Sequence, residues 1–303
     1  MYKQFFGLRE SPFALTPDTD YFYANTDHQD ALNTLLVALQ LGEGFIKVSG
    51  EVGTGKTLLC RKLLNELEDD ERFVTAYIPN PAITPAALRH ALAGELGLKL
   101  PRNLGQHHLI EAINTHLLEQ RREGRQVVLI IDEAQALSHE CLEALRLLGN
   151  LETEKNKLLQ VVLLGQPELD ERLARPDLRQ LAQRIGFHYR LHPMRTEVVA
   201  GYLAHRLAVS GYKGPTLFDD ALARRLFRAS GGVPRLLNIL AHKTLLACYG
   251  EGTARPARKH LIRAVSDTES IRSQIPVNRL RGLATAVGAS LAMASLLWTA
   301  RIG

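Results

Sequence analysis

The chain has 303 residues, 46% of them apolar and 23% charged, so it can bury a core and is not a disordered polymer. Its net charge of +5 is unevenly spread: residues 1–171 carry −9, residues 172–235 carry +8 and residues 255–303 carry +6, which excludes an even basic coat for nucleic acid. Cys60, Cys141 and Cys248 lie far apart with no C-x-x-C pair, which excludes a disulfide framework or a cysteine zinc site and fits a reducing compartment.

The opening MYKQFFGLRESPF lacks the apolar core of a signal peptide, so none is expected. The first thirty residues mix Phe5, Phe6, Phe13, Tyr21, Phe22 and Tyr23 with Pro12 and Pro17, and read as an irregular arm. Two roles fit such an arm: a cover over a ligand base, or a flap on the core. From Asp27 to Leu41, apolar Ala31, Leu32, Leu35, Leu36 and Leu39 recur at helical spacing.

Strand and helix patterns then alternate. Strands are expected at Phe45–Ser49, Phe73–Ile78, Val127–Ile131, Leu158–Leu164 and Ile185–Leu191. Helices are expected at Thr57–Glu68, Thr84–Leu96, His107–Arg122 and Ser138–Leu148. Short apolar strands separated by helices imply an α/β fold in three layers, with a parallel five-stranded sheet covered on both faces. After His192-Pro193 only helical patterns follow, at Thr196–Val209, Asp219–Ala229, Pro234–Tyr249 and Ala257–Val265, which reads as a small all-α unit. The expected division is a nucleotide-binding domain with its arm over 1–191, a helical lid over 192–266, a polar linker over 267–282 and an apolar helix over 283–300.

Leu283 to Ala300 runs without a charge, long enough for a single transmembrane helix. Arg279 and Arg281 flank its start, Trp298 falls at interfacial depth, and Ala284, Gly288 and Ala292 repeat small residues every four positions. The distribution of Lys and Arg then leaves the large N-terminal part in the cytoplasm. A peripheral or partner-binding tail is the competing reading.

Gly50-Glu51-Val52-Gly53-Thr54-Gly55-Lys56-Thr57 satisfies G-x-x-x-x-G-K-[ST] between a strand and a helix that continues through Leu58. Glycines let backbone N–H groups curl around phosphates, and the helix N-terminus adds positive potential. Lys56 suits the β- and γ-phosphates of ATP, and the Thr57 hydroxyl suits Mg²⁺. Strand Val127–Ile131 ends in Asp132-Glu133 at the sheet edge where open α/β folds bind ligands. Asp132 is expected to hold Mg²⁺ through water, and Glu133 to activate the attacking water. Two weaker signals accompany these motifs. His107 and His108 adjoin on a helix and so make a poor metal pair, and Cys60 reads as a small buried side chain.

With Asp132-Glu133 in place, the chain resembles the AAA+ ATPases. The resemblance puts Gln166, in Gly165-Gln166-Pro167-Glu168-Leu169, at the sensor-1 position, where AAA+ proteins often carry Asn or Thr. It puts an arginine finger, donated by a neighbouring subunit, within Leu178–Ile185, with Arg184 preferred over Arg179. It puts Arg235, in Gly231-Gly232-Val233-Pro234-Arg235, at the sensor-2 position, swinging over the phosphates as the lid closes. The +8 stretch would then supply cations to the nucleotide.

The whole chain resembles the ExeA (general secretion pathway protein A) family more narrowly. The matching segments are Phe6-Gly7-Leu8, Pro12-Phe13, Thr16-Pro17-Asp18, Tyr21-Phe22-Tyr23, the phosphate loop, Asp132-Glu133-Ala134-Gln135 and Gly165–Leu169. His28 falls on the adenine side by this resemblance, whereas a histidine at a helix start reads by itself as a surface group. Longer members continue into a periplasmic peptidoglycan-binding domain. This chain is more similar to the shorter MshM-type branch, which serves type IV (MSHA) pilus biogenesis.

The expected function is therefore a Mg²⁺-dependent ATPase of the bacterial inner membrane. It would form a homo-oligomeric ring and power assembly of a secretion or pilus complex with an inner-membrane partner. Two alternatives stand beside it. One is a DNA-handling ATPase of the transposition type, disfavoured because residues 1–254 sum to −1 and no helix-turn-helix reader is evident. The other is a nucleotide-gated adaptor with very slow turnover.

Overall fold

The computed structural model describes residues 2–24, 27–101, 104–154 and 156–269. Seventeen helices and strands follow one another as α1 (Tyr2–Phe6), α2 (Asp27–Gln40), β1 (Phe45–Gly50), α3 (Lys56–Glu68), β2 (Phe73–Ile78), α4 (Pro85–Glu95), α5 (Gln106–Arg122), β3 (Gln126–Ile131), α6 (His139–Leu148), β4 (Leu159–Gly165), α7 (Pro167–Leu173), α8 (Arg179–Ala182), β5 (Ile185–Leu191), α9 (Thr196–Val209), α10 (Asp220–Ser230), α11 (Pro234–Gly250) and α12 (Arg258–Ser266). The five strands form one parallel sheet in the order β2-β3-β4-β1-β5.

Successive side chains of a strand point to opposite faces, and each face of this sheet carries its own core. Val127, Leu129, Ile131, Val161 and Leu163 pack under α4–α8, whereas Ile46, Val48, Val128, Ile130, Val162 and Leu164 pack under α2 and α3. β4, the middle strand, is buried at every residue. That explains why β3 and β4 read as unbroken apolar runs rather than as alternation. The three-layer α/β architecture with a parallel five-stranded sheet is as expected.

The register places the chemistry. Ile131 lies opposite Leu163, and Ser49 lies opposite Gly165. The residues that follow β3, β4 and β1 therefore emerge side by side at one sheet edge: Asp132-Glu133, then Gln166, then the phosphate loop.

Element ends differ from expectation by about one residue, and the caps explain part of this. Thr84, Ser138 and Asp219 are not the first helical residues; their side chains accept from Ala87 N (3.2 Å), Cys141 N (3.2 Å) and Leu222 N (2.7 Å).

The arm departs further from expectation. Its first residues form α1, and Phe6, Leu8 and Phe13 are buried among the helices α9–α12, not against the sheet. The expected division groups this arm with residues 1–191, whereas Phe6, Leu8 and Phe13 pack with the helices that follow residue 192. Its aromatics mark a buried segment but not which core buries it. The C-terminal run 283–300 lies outside the described residues. Among the described residues no helix is long and apolar enough to cross a membrane.

Candidate functional site

The loop between β1 and α3 is shaped by its own side chains. Thr54 is fully buried, and its hydroxyl donates to Glu51 O at 2.8 Å. Gly53 and Gly55 adopt φ of +81° and +98°, a region that side chains rarely enter. At Gly55 space is also absent: a Cβ there would come within 2.6 Å of His28 Nε2. His28 is itself buried, with Nε2 donating to Thr54 O at 2.6 Å. It thus props the loop from beneath and is no surface group. Burial pulls the His28 imidazole below its ordinary pKa.

Lys56 lies buried at the start of α3, its Nζ donating to Gly50 O at 2.7 Å and Glu51 O at 3.0 Å. Burial lowers its pKa, and the carboxylates of Glu133 and Asp132 oppose that shift. Asp132, 2% exposed, accepts from the Thr57 hydroxyl and from Glu133 N (2.9 Å). Burial pushes its carboxyl upward, foremost among the causes. A buried carboxylate paired with a hydroxyl at a helix start is a donor set of the hard-oxygen kind that Mg²⁺ prefers, so Thr57 and Asp132 fit that ion.

Glu133 has φ +52° and is the one non-glycine residue with positive φ among the described residues. Such a conformation persists where its surroundings hold it, and it clusters at functional sites. Its Oε2 accepts from Gln166 Nε2 at 3.2 Å and from Gln135 Nε2 at 2.5 Å. Gln166 therefore sits beside the second acid.

The helical unit closes over the loop. Arg235, at the start of α11, donates its backbone N–H to Gly53 O at 3.2 Å, and a Cβ on Gly53 would lie 2.8 Å from Arg235 Cβ. Between loop, acids and lid lies a cavity of about 190 Å³, lined by Lys56, Thr57, Glu133, Gln166 and Arg235 among others. Its lining brings the phosphate loop, the second acid and the helical unit around one space. Two roomier clefts, about 510 and 580 Å³, carry neither the phosphate loop nor the acids.

Ala14–Asp18 of the arm line this cavity, in keeping with a cover over a ligand, whereas Tyr202, Arg206 and Asn238 escaped the sequence reading. The arm is thus both a flap on the helical core and one wall of the cavity. Arg206 is buried, donates to Pro12 O, to Ala14 O (3.3 Å) and to Tyr202 Oη (3.3 Å), and stacks 4.4 Å over Tyr21. Tyr202 Oη donates to Asn238 Oδ1 at 2.9 Å. Spacing carried a signal for one of these: Asn238 lies one turn beyond Arg235 on α11.

Arg184 and Arg179 stand apart from this cluster. Arg184 precedes β5 at the opposite end of the sheet, about a strand length of 17–20 Å from the loop. It is half-buried and donates to Arg146 O at 3.2 Å, whereas Arg179 is exposed. Neither reaches the cavity of its own chain. His107 and His108 converge more than their adjacency implied, both lying near Glu111 (4.0 and 3.6 Å), but all three are exposed at the positive end of α5.

The model of the AAA domain family matches residues 39–173. General secretion pathway protein A of Aeromonas hydrophila is 41% identical over 298 residues, 98% of this chain and 54% of that protein. The chain spans about half the length of that curated relative. Among solved structures, Cdc6p from Pyrobaculum aerophilum superposes with a TM-score of 0.65 at 19% identity, over 88% of this chain and 74% of that one. The Aeropyrum pernix ORC1 protein in complex with DNA gives 0.62 at 18% identity, over 86% and 69%. The Thermotoga maritima RuvB branch migration motor gives 0.53 at 17%, over 79% and 68%. These three share the fold. Residues 39–173 thus match an AAA domain, and over almost its whole length the chain is similar to part of general secretion pathway protein A.

Proposed function

We propose that the chain hydrolyses Mg·ATP, assembles with copies of itself, and powers the building of a secretion or type IV (MSHA) pilus complex at the bacterial inner membrane. The observation that carries the hydrolytic part is the convergence of Lys56, Thr57, Glu133, Gln166 and Arg235 on one cavity, with Asp132 buried behind it. Lys56 and Arg235 would hold the charge of the β- and γ-phosphates. Glu133 would accept a proton from the attacking water as its oxygen bonds to the γ-phosphorus and the bond to ADP breaks. Thr57 and Asp132 would hold Mg²⁺, which when bound neutralises phosphate charge.

Self-assembly is the reading under which Arg184 or Arg179, both outside the cavity of their own chain, would meet a phosphate, across a subunit boundary. Between them, Arg179 has the freer guanidinium, since Arg184 is tied to Arg146 O. The membrane role rests on the apolar run 283–300, and the secretion role on the name of the 41% identical relative.

The test is phosphate release by the full chain in detergent with Mg·ATP, alongside Glu133→Gln. Turnover by the native chain, and ATP binding without turnover by the variant, are expected. A native chain that binds ATP and releases no phosphate in any assembly state is instead an adaptor. Resistance of the chain to alkaline extraction from membranes tests the anchor. Loss of either secretion or pili in a deletion strain tests the cellular role.

A further inference from the structure

We infer that Gln135 is a positioning residue for hydrolysis, a side-chain clamp that aims Glu133 and ties it to Gln166. The inference rests on the ATP-hydrolysing reading above and adds a residue to it. Gln135 lies in the single tight turn Ala134–Ala136, two residues past Glu133, so its side chain folds back over the acid. Its Nε2 donates to Glu133 Oε2 at 2.5 Å, and its Oε1 accepts the backbone N–H of Gln166 at 3.0 Å. Gln166 returns its own Nε2 to the same Glu133 oxygen at 3.2 Å. Three residues from two strand ends thus form a closed ring of hydrogen bonds.

Two further observations show that the ring is built into the fold. Glu133 is held in a left-handed conformation that needs fixed neighbours to persist. Gly165, just before Gln166, lets β4 approach the turn: a Cβ there would come within 3.4 Å of Gln135 N and 2.8 Å of Leu169 Cδ2.

The chemistry singles out an amide. The position needs one group that donates to a carboxylate and accepts from an N–H, and an uncharged amide offers both. The ring engages Oε2 and leaves Oε1 outside it. A shift of β4 that moves Gln166 would turn Glu133 with it.

This makes a prediction that shape alone reverses. Gln135→Glu keeps the size but replaces the donor with an acceptor and sets a second negative charge against Glu133. Gln135→Ala removes both bonds without adding charge. Full-length variants in detergent are assayed for phosphate release and for Mg·ATP affinity by a fluorescent analogue. Gln135→Ala is expected to lower kcat about 10-fold and Gln135→Glu about 100-fold or more, with KM within about 2-fold. In a Glu133→Gln background, the residual rate is expected to be the same with and without Gln135→Ala, because the clamp acts through Glu133.

A glutamate variant more active than the alanine variant means packing and overturns the inference, as does native turnover in both. Variants that lose nucleotide affinity as much as turnover also overturn it, since a clamp on the acid leaves binding intact. Absence of turnover in the native chain is a different failure: it removes the hydrolytic reading itself and the clamp with it.

Discussion

Replacing Arg206 should loosen the arm and the lid together. The guanidinium satisfies the carbonyls of Pro12 and Ala14, touches Tyr202 Oη and stacks on Tyr21, all within the helical core. Arg206→Met keeps the aliphatic bulk and deletes every polar contact. Hydrogen bonds from a charged donor contribute about 1.5–3 kcal/mol each, and the stacking about 1–2 kcal/mol. Against this, removing a buried charge recovers part of a desolvation penalty of several kcal/mol. The net loss is about 2–4 kcal/mol, or a fall in Tm of about 5–15 °C for a domain of this size. Arg206→Lys keeps the charge but lacks the fork that spans two carbonyls, so it should recover less than half of the loss. Thermal unfolding followed by circular dichroism reads the stability, and Mg·ATP titration reads the cavity wall. Because Ala14–Asp18 line that cavity, KM should rise in step with the loss of Tm. Unchanged Tm in both variants would refute the assignment of Arg206 as the fastener, and lowered Tm with unchanged KM would separate the arm from the nucleotide.

Lys56→Ala should abolish ATP binding measured by calorimetry, because the phosphates lose their buried cation; retained micromolar affinity would argue against the phosphate-loop assignment. Gly55→Ala should do the same without unfolding α9–α12, since its Cβ meets His28 Nε2 at 2.6 Å under the loop; normal binding would show that His28 yields. His28 gives a pH dependence. With its folded pKa pulled down by burial, the native state resists a proton that the unfolded chain accepts below about pH 6.5. Stability should therefore fall as pH drops below that value, by at most about 1.4 kcal/mol per unit for this one group. His205 and His242 shift the same way, so the measure is the difference in acid-limb slope between the native chain and His28→Gln. Equal slopes would remove His28 from the account.

The sheet and its site were legible because their signals are local. A glycine loop between strand and helix, and two acids after an apolar strand, fix chemistry and placement within a dozen residues. Parallel pairing then brings those ends together by register. The arm was legible only as an aromatic segment that packs somewhere, because nothing within Phe6, Leu8 and Phe13 states whether sheet or helices receive them. Arg206 was hidden for a related reason. It follows Tyr202 by one turn on a helix that also buries Val199, Leu203 and Leu207, and its partners are backbone carbonyls nearly two hundred residues away. Carbonyls leave no trace in a sequence pattern. Gln135 was visible as a letter in a motif, but its clamp depends on the left-handed turn at Glu133, which no side-chain pattern announces.

The arm links the helical unit to the sheet domain along one wall of the cavity. Residues up to 14 are fastened to the helical unit: Arg9 N donates to Ser210 O, Tyr2 Oη pairs with His242, and Arg206 holds Pro12 and Ala14. Residues 17–19 are fastened to the sheet domain, where Arg61 donates to Pro17 O at 2.5 Å and Asn65 to Thr19 Oγ1 at 3.3 Å. Only Leu15 and Thr16 lie between the two anchorages, and both face the cavity. Lifting of α11 that breaks the contact of Arg235 N with Gly53 O would pull on this short span and on the return of Tyr21 and Tyr23 to Arg206 and Tyr202. The three steps from Ala14 to Pro17 reach at most about 11 Å, which limits how far the two anchorages can part while both hold. Inserting two glycines between Leu15 and Thr16 should free that motion. Faster nucleotide exchange with a weaker KM is the expected result, and exchange at the native rate would mean that the lid opens about some other hinge.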